Sequence, residues 1–266
     1  QTSTLQQWQV DCLEMLKSHK EEEIVFVAAP KHTTSFDKSP KNNRLRKSWG
    51  KNSFWHLYWK YSKPSQIQDV KYDWSDINML TIQVTPDRNK TVVADKDLEV
   101  IKNQNPDILL RLGWGILAGE ILEAATFGVW SFHHNDPHVY RGGPPAFWEI
   151  YYRQSVQGAV LQKLNEKLDG GFILAEAHIR TNKHSLSESY NEIVNTSPFL
   201  LQQAIGKVKY GKVEGRRIDR KKGVFKTYPN NGQFLSALCT LVFQKLKFQH
   251  RKFWSDENWF LMESPY

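Results

Sequence analysis

Apolar residues at Leu5, Trp8, Cys12, Leu13 and Leu16 recur at helical spacing and lead into the unbroken run Ile24-Val-Phe-Val-Ala28, which reads as a buried strand. Residues 31–75 show no sustained helical or alternating period and read as an insertion with local helical turns. Beyond it, Leu80-Thr-Ile-Gln-Val84 alternates as a strand, Lys96 to Asn103 gives a short helix, and Pro106 to Leu112 a buried strand. A helix over Gly119–Ala125 and a strand from Gly128 follow. Strand, helix and strand in that order at that spacing predict an α/β fold, a Rossmann-like and mostly parallel sheet with flanking helices and right-handed crossovers. Gln157–Leu164 and Ile173–Ile179 are strands that could pair across the turn at Asp169. Leu186–Val208 reads as one long amphipathic helix, Gly206–Gly232 as basic and turn-rich, and Phe234–Phe248 as an apolar-striped helix. The tail Phe253–Met262 stays aromatic, and such a tail wants a surface to cover.

The densest chemistry lies between Gly128 and Trp148. Val129, Trp130 and Phe132 are strand formers, and Ser131 and His133, two apart, project from one face. Arg141-Gly142-Gly143 suits a turn that needs positive φ, and Pro144-Pro145 suits the first turn of a helix through Phe147, Trp148, Ile150 and Tyr151. The segment therefore delivers a hydroxyl and an imidazole into a loop anchored at both ends, as active sites commonly do. His133, His134, Asp136 and His138 also invite zinc or iron. Adjacent His133 and His134 on a strand face opposite ways, however, which disfavours a shared metal. Gly113-Trp-Gly115 is too short for a dinucleotide fingerprint.

This segment, together with Leu168-Asp169-Gly170-Gly171, resembles the folate-dependent formyltransferases. In that family a strand carries Asn-x-His, a Pro-containing loop and a Gly follow, and Leu-Asp-x-Gly closes the site. The resemblance covers roughly residues 1–185 and puts His133 on the catalytic His, Asp169 on the catalytic Asp and Gly142 on the loop Gly. Ser131 stands where the family has Asn. It implies 10-formyltetrahydrofolate as formyl donor, with Trp114, Ile116, Leu117, Leu122, Lys167 and Leu168 lining its slot. His133 would act as acid/base and oxyanion donor, Asp169 would orient it and raise its pKa, and Ser131 would assist. Members begin with a strand before a helix such as Leu5–Leu16, so their first strand has no evident counterpart in this chain. The aromatic tail differs from the small barrel that follows the catalytic domain in the tRNA-formylating members. That difference favours an amino sugar or sugar nucleotide as the amine acceptor over tRNA.

Composition bounds these readings. The chain of 266 residues can hold one large α/β domain with an appendage: a catalytic domain over 1–185, and a helical, basic and aromatic extension over 186–266. Cys12 and Cys239 are too few and too far apart for a disulfide framework, which suits a reducing, cytoplasmic compartment, and both read as buried fillers. No run of eighteen apolar residues occurs, so no membrane partner is expected. The net charge of +8 is concentrated in two blocks, Lys31–Lys60 and Lys207–Lys226, each +7, leaving the remainder at −6. Such blocks suit phosphate-bearing partners, nucleic acid being less favoured than a sugar nucleotide. Solvated loops explain them equally well. Three functions stay open: an N-formyltransferase, a formyltetrahydrofolate hydrolase, and a degenerate binding domain docked to a neighbouring domain of a longer chain.

Overall fold

The computed structural model describes residues 4–18, 24, 27–32, 41–87, 90–113, 115–166, 171–211, 215–219 and 221–260. For 27–32, 41–49, 86–87 and 250–260 it describes the backbone alone. In chain order the first elements are β1 (Thr4–Gln6), α1 (Gln7–Ser18), β2 (Val27–His32), α2 (Lys41–Tyr61), β3 (Asp69–Lys71), β4 (Met79–Asp87), β5 (Lys90–Val93) and α3 (Asp95–Asn103). Then come β6 (Leu109–Arg111), β7 (Ile116–Ala118), β8 (Val129–His133), β9 (Tyr140–Gly142), α4 (Phe147–Tyr151), β10 (Val156–Lys163) and β11 (Phe172–Arg180). The chain continues through α5 (Leu186–Val194), α6 (Ser197–Lys209), β12 (Arg216–Arg217), β13 (Val224–Lys226) and α7 (Asn231–Phe260).

Two larger sheets organise these elements, in the orders β12-β11-β10-β8-β6 and β2-β4-β5-β7. Parallel pairing joins β6 to β8, β2 to β4 and β5 to β7, whereas the strands read on either side of the helix Lys96–Asn103, now β4 and β6, lie in different sheets. The expectation of a mostly parallel sheet needs correction. Five of the nine described pairings are antiparallel, among them those of the chain neighbours β4 with β5 and β10 with β11. β1 precedes α1 but pairs antiparallel with β3, outside both larger sheets.

One face of the β8 sheet packs on α1 and α6 through Trp8, Cys12, Trp130, Leu161, Leu200, Leu201 and Ala204. The hydrophobic core thus runs through residue 185 without a break, since Ile193 and Leu200, both fully buried, belong to it. A second core gathers Trp55, Phe147, Ile150, Phe234 and Leu241 from α2, α4 and α7, with Trp55 edge-on to Phe147 at 5.5 Å. A third lies around Ile82, Val84, Leu98, Ile101, Leu117 and Leu122.

Several local expectations change. Residues 31–75 contain a 21-residue helix, α2, kinked at Asn52, and its Trp55 anchors the second core. Periodicity missed α2 because aromatics and cations alternate around it. The stretch 186–208 is two helices, broken at Asn195-Thr196 where Pro198 opens the next first turn. Residues 119–125 form only a 3-10 turn at Glu120–Glu123, and β6 is half-buried along its length. Cys12 is buried, but Cys239 is exposed on α7, since that helix buries only the side carrying Phe234, Ala237 and Leu241. Among the described residues no helix is long and apolar enough to cross a membrane.

Because α6 completes the core under β8, Leu200→Ala should lower unfolding free energy by about 2–5 kcal/mol. Urea unfolding followed by tryptophan fluorescence and by circular dichroism should give one coincident transition. Loss of α6 helicity in a separate, earlier transition would show an independently folding C-terminal part.

Candidate functional site

β8 lies between parallel β6, with Arg111 opposite Ser131, and antiparallel β10, with Val160 opposite His133 and Gln162 opposite Ser131. Strand alternation sends Trp130 and Phe132 toward α1, where Phe132 meets Trp8 edge-on at 5.5 Å, so Ser131 and His133 share the opposite face. The structure thus places the predicted hydroxyl and imidazole side by side at the carboxyl end of a parallel pair, where open α/β sheets bind ligands. Ser131 is 2% exposed and His133 half-buried.

A third side chain joins them that motif reading did not find. Arg111 Nη1 donates to Ser131 Oγ at 2.8 Å, while its Nε donates to the Gly113 carbonyl at 2.7 Å. Burial pulls the guanidinium pKa below its ordinary value, and among the described residues no carboxylate forms an ion pair with it. A guanidinium held half in the fold without a counter-charge is costly. Its sequence signal was a lone cation inside the apolar run Ile108-Leu-Leu-Arg-Leu112.

The loop after β8 is fixed by its own polar groups. Asn135 Nδ2 donates to the Gly142 carbonyl at 2.9 Å, and the Asp136 carboxylate accepts from the His138 backbone N–H at 2.8 Å. Asn135 is therefore spent on the loop. His134 turns the other way, as alternation requires. Its Nε2 lies 2.9 Å from Ser197 Oγ and its ring edge-on to Trp8, and desolvation holds its pKa well below the ordinary value. It is a structural imidazole, and among the described residues no group of three His, Cys, Asp or Glu could hold a metal ion. Gly142 has φ +88° and pairs with β13, where a Cβ would meet the Lys226 carbonyl oxygen at 2.2 Å. A glycine is required there twice over, by backbone conformation and by the close approach.

The hairpin that leads to Asp169 keeps the predicted pairing of β10 with β11. Lys163, which pairs with Phe172 on β11, stands opposite Trp130, near the opening of β8 rather than beside His133 at its end. Glu166 reaches toward β5 and β7, bonding the Gly119 N–H at 2.9 Å and pairing with Lys90 at 3.6 Å. Asp169, with Lys167, Leu168 and Trp114, lies outside the described residues. Of the other expected folate-lining residues, Leu117 and Leu122 pack in the third core, and Ile116 is half-buried on β7.

Glu149 on α4 is the second unforeseen group, a lone carboxylate in Phe147-Trp-Glu-Ile-Tyr151. It is 2% exposed, its Oε2 has no hydrogen-bond partner among the described residues, and desolvation reinforced by Asp136 pushes its pKa up to about 7.

No family model matches the chain. Methionyl-tRNA formyltransferases do match by sequence. That of Prochlorococcus marinus is 32% identical over 105 residues, which are 38% of this chain and 32% of the relative. That of Borrelia hermsii is 27% identical over 168 residues, 62% of this chain and 52% of the relative. The chain thus spans about a third to a half of the length of these curated relatives. Among solved structures, a formyltetrahydrofolate deformylase from Pseudomonas syringae is similar with a TM-score of 0.47 at 13% identity, over 77% of this chain and 67% of that one. At that level nothing of the neighbour's reaction transfers to this chain. By sequence the chain is similar to these methionyl-tRNA formyltransferases over the matched stretches.

Because the folded protein holds the Glu149 proton more tightly than the unfolded chain, stability should fall as pH rises from about 4.5 to about 7 and level off above that. Glu149→Gln should remove this component, which amounts to about 3 kcal/mol. Urea unfolding of both proteins at acidic and at alkaline pH measures it, and parallel pH profiles would show that the carboxyl titrates normally.

Proposed function

We propose that this protein moves a formyl group from 10-formyltetrahydrofolate to an amine, with an amino sugar or sugar nucleotide as acceptor. The observation that carries the reading is the single face of β8 on which His133 stands next to Ser131 with the Arg111 guanidinium fixed to it. The sequence relatives supply the reaction class.

Formyl transfer forms a bond from the acceptor nitrogen to the formyl carbon, puts charge on the formyl oxygen, and then breaks the bond to the folate nitrogen. One proton must travel from the attacking nitrogen to the departing one. In this reading His133 carries that proton and, as imidazolium, donates to the oxyanion, while Asp169 orients the ring. Arg111 and Ser131 together take the place of the family's Asn. The Ser131 oxygen already accepts from Arg111, so its own O–H is polarised for donation, and the guanidinium brings fixed positive charge to where negative charge develops. Ile116, with Trp114, Lys167 and Leu168, would line the donor slot. The packing of the second basic block against the site loop, through β13 on β9 and the Arg141 Nε bond to the Gly223 carbonyl at 3.2 Å, supports a phosphate-bearing acceptor.

Incubated with 10-formyltetrahydrofolate and amino sugars, the purified protein should release tetrahydrofolate. Arg111→Ala should cut that rate by about 10²–10³-fold, as removal of an oxyanion donor does, and His133→Ala by at least as much, with circular dichroism unchanged. Absence of turnover with every amine would remove the reading. Formate release without any acceptor would make the protein a hydrolase instead.

A further inference from the structure

A cavity of about 420 Å³ opens near the end of β8. Its wall takes Asp136 from the loop, Glu149 and Tyr152 from α4 and its end, Arg153, Gly158 from β10, and His178 from β11. Register fixes where it lies. Val160 is directly opposite His133, and Gly158, two positions along the same strand, points to the same face. Two strand positions span about 7 Å, so the cavity continues the face that carries His133. The absent side chain of Gly158 helps to make the space, since a Cβ there would meet Asp136 Cβ at 2.9 Å and the His178 ring at 3.2 Å.

The charges in this wall are unevenly satisfied. Asp136 is held by His178 Nε2 at 3.2 Å and His138 Nδ1 at 3.5 Å. Lys226 binds the wall residue Tyr152 rather than either carboxylate: its Nζ donates to the Tyr152 hydroxyl at 2.7 Å and lies 4.6 Å from the centres of the Trp148 and Tyr152 rings. Among the described residues, Arg153 forms no ion pair with either carboxylate. Glu149 is the exception in kind. It is buried, and its Oε2 is the one buried side-chain atom of the cavity wall with no partner among the described residues. A buried carboxylate in this position needs a hydrogen-bond donor, and one beside a second carboxylate gains more from a charged donor than from a hydroxyl.

We propose that this cavity binds a protonated amine of the ligand, its N–H groups donating to Glu149 Oε2 with Asp136 as the second acceptor. The subsite stands on its own geometry. Its assignment to the acceptor rests on the formyl-transfer reading, in which the acceptor carries a second, non-reacting ammonium some 7 Å or more from the nitrogen at His133. That defines the acceptor as a diamine, such as a diamino sugar.

The test is calorimetric titration of the full chain with 1,4-diaminobutane and with 4-amino-1-butanol, which replaces one ammonium by a hydroxyl. The diamine should bind about tenfold tighter or better, the difference expected of a charge-assisted bond to a buried carboxylate. Glu149→Gln should abolish the preference. Gly158→Ala, whose Cβ would press on Asp136 Cβ and the His178 ring and so narrow the cavity while leaving Glu149 in place, should weaken the diamine if the glutamine variant does not fold. Equal binding of the two ligands, no binding of either, or a preference that survives both substitutions would overturn the proposal, as would zinc binding that excludes the diamine. Diamine binding without any formyl transfer would leave the subsite standing and remove the formyl-transfer reading alone.

Discussion

The position of β8, with a parallel neighbour on one side and an antiparallel one on the other, is the constraint on which the site depends. Parallel β6 ends level with Ser131, so the Arg111 side chain arrives beside the serine hydroxyl. Antiparallel β10 runs past His133 and carries Gly158 beyond it, extending the same face into the cavity walled by Asp136 and Glu149. Two-residue alternation does the rest: Trp130 and Phe132 anchor the strand to α1 and α6, and the polar residues between them have only the other face to occupy. A slip of one residue would bury His133 and expose Trp130.

What holds the polar face open is less the sheet than the chain that comes long after it. β13, some 80 residues downstream, pairs with the loop at β9, and the approach is so close that Gly142 leaves no room for a side chain. Lys226 then sits among the rings of Tyr140, Trp148 and Tyr152. The basic segment is thereby tied to the site loop, and α7 packs Phe234 and Leu241 onto the helix that bears Glu149. Site and C-terminal segment form one packed unit.

Two ionisable groups on this face lack counter-charges among the described residues, Arg111 at one end and Glu149 at the other. Each is desolvated, and each is shifted toward its neutral form by that burial. Groups of opposite sign, separated along one face and each short of a partner, are the arrangement expected where ligand charge completes the balance.

Much of this was legible in the chain alone. The period of Trp8, Cys12 and Leu16 gave α1, the two-residue spacing put Ser131 and His133 on one face, and the run of aliphatics gave β10 and β11, because local geometry fixes which side chains share a face. Resemblance alone supplied the roles expected of His133 and Asp169, and Asp169 lies outside the described residues. Arg111 and Glu149 were hidden because each is one charge in an apolar stretch, and its meaning depends on what faces it across strands far apart in sequence. The break at Asn195, the helix across 41–61 and the antiparallel share of the sheets likewise arose from packing. Sequence determined the faces of individual elements through periodicity; only the tertiary structure decided which faces meet, because strand register and desolvation are set by partners far apart in sequence, as Trp8 with Leu200 and Trp55 with Phe234.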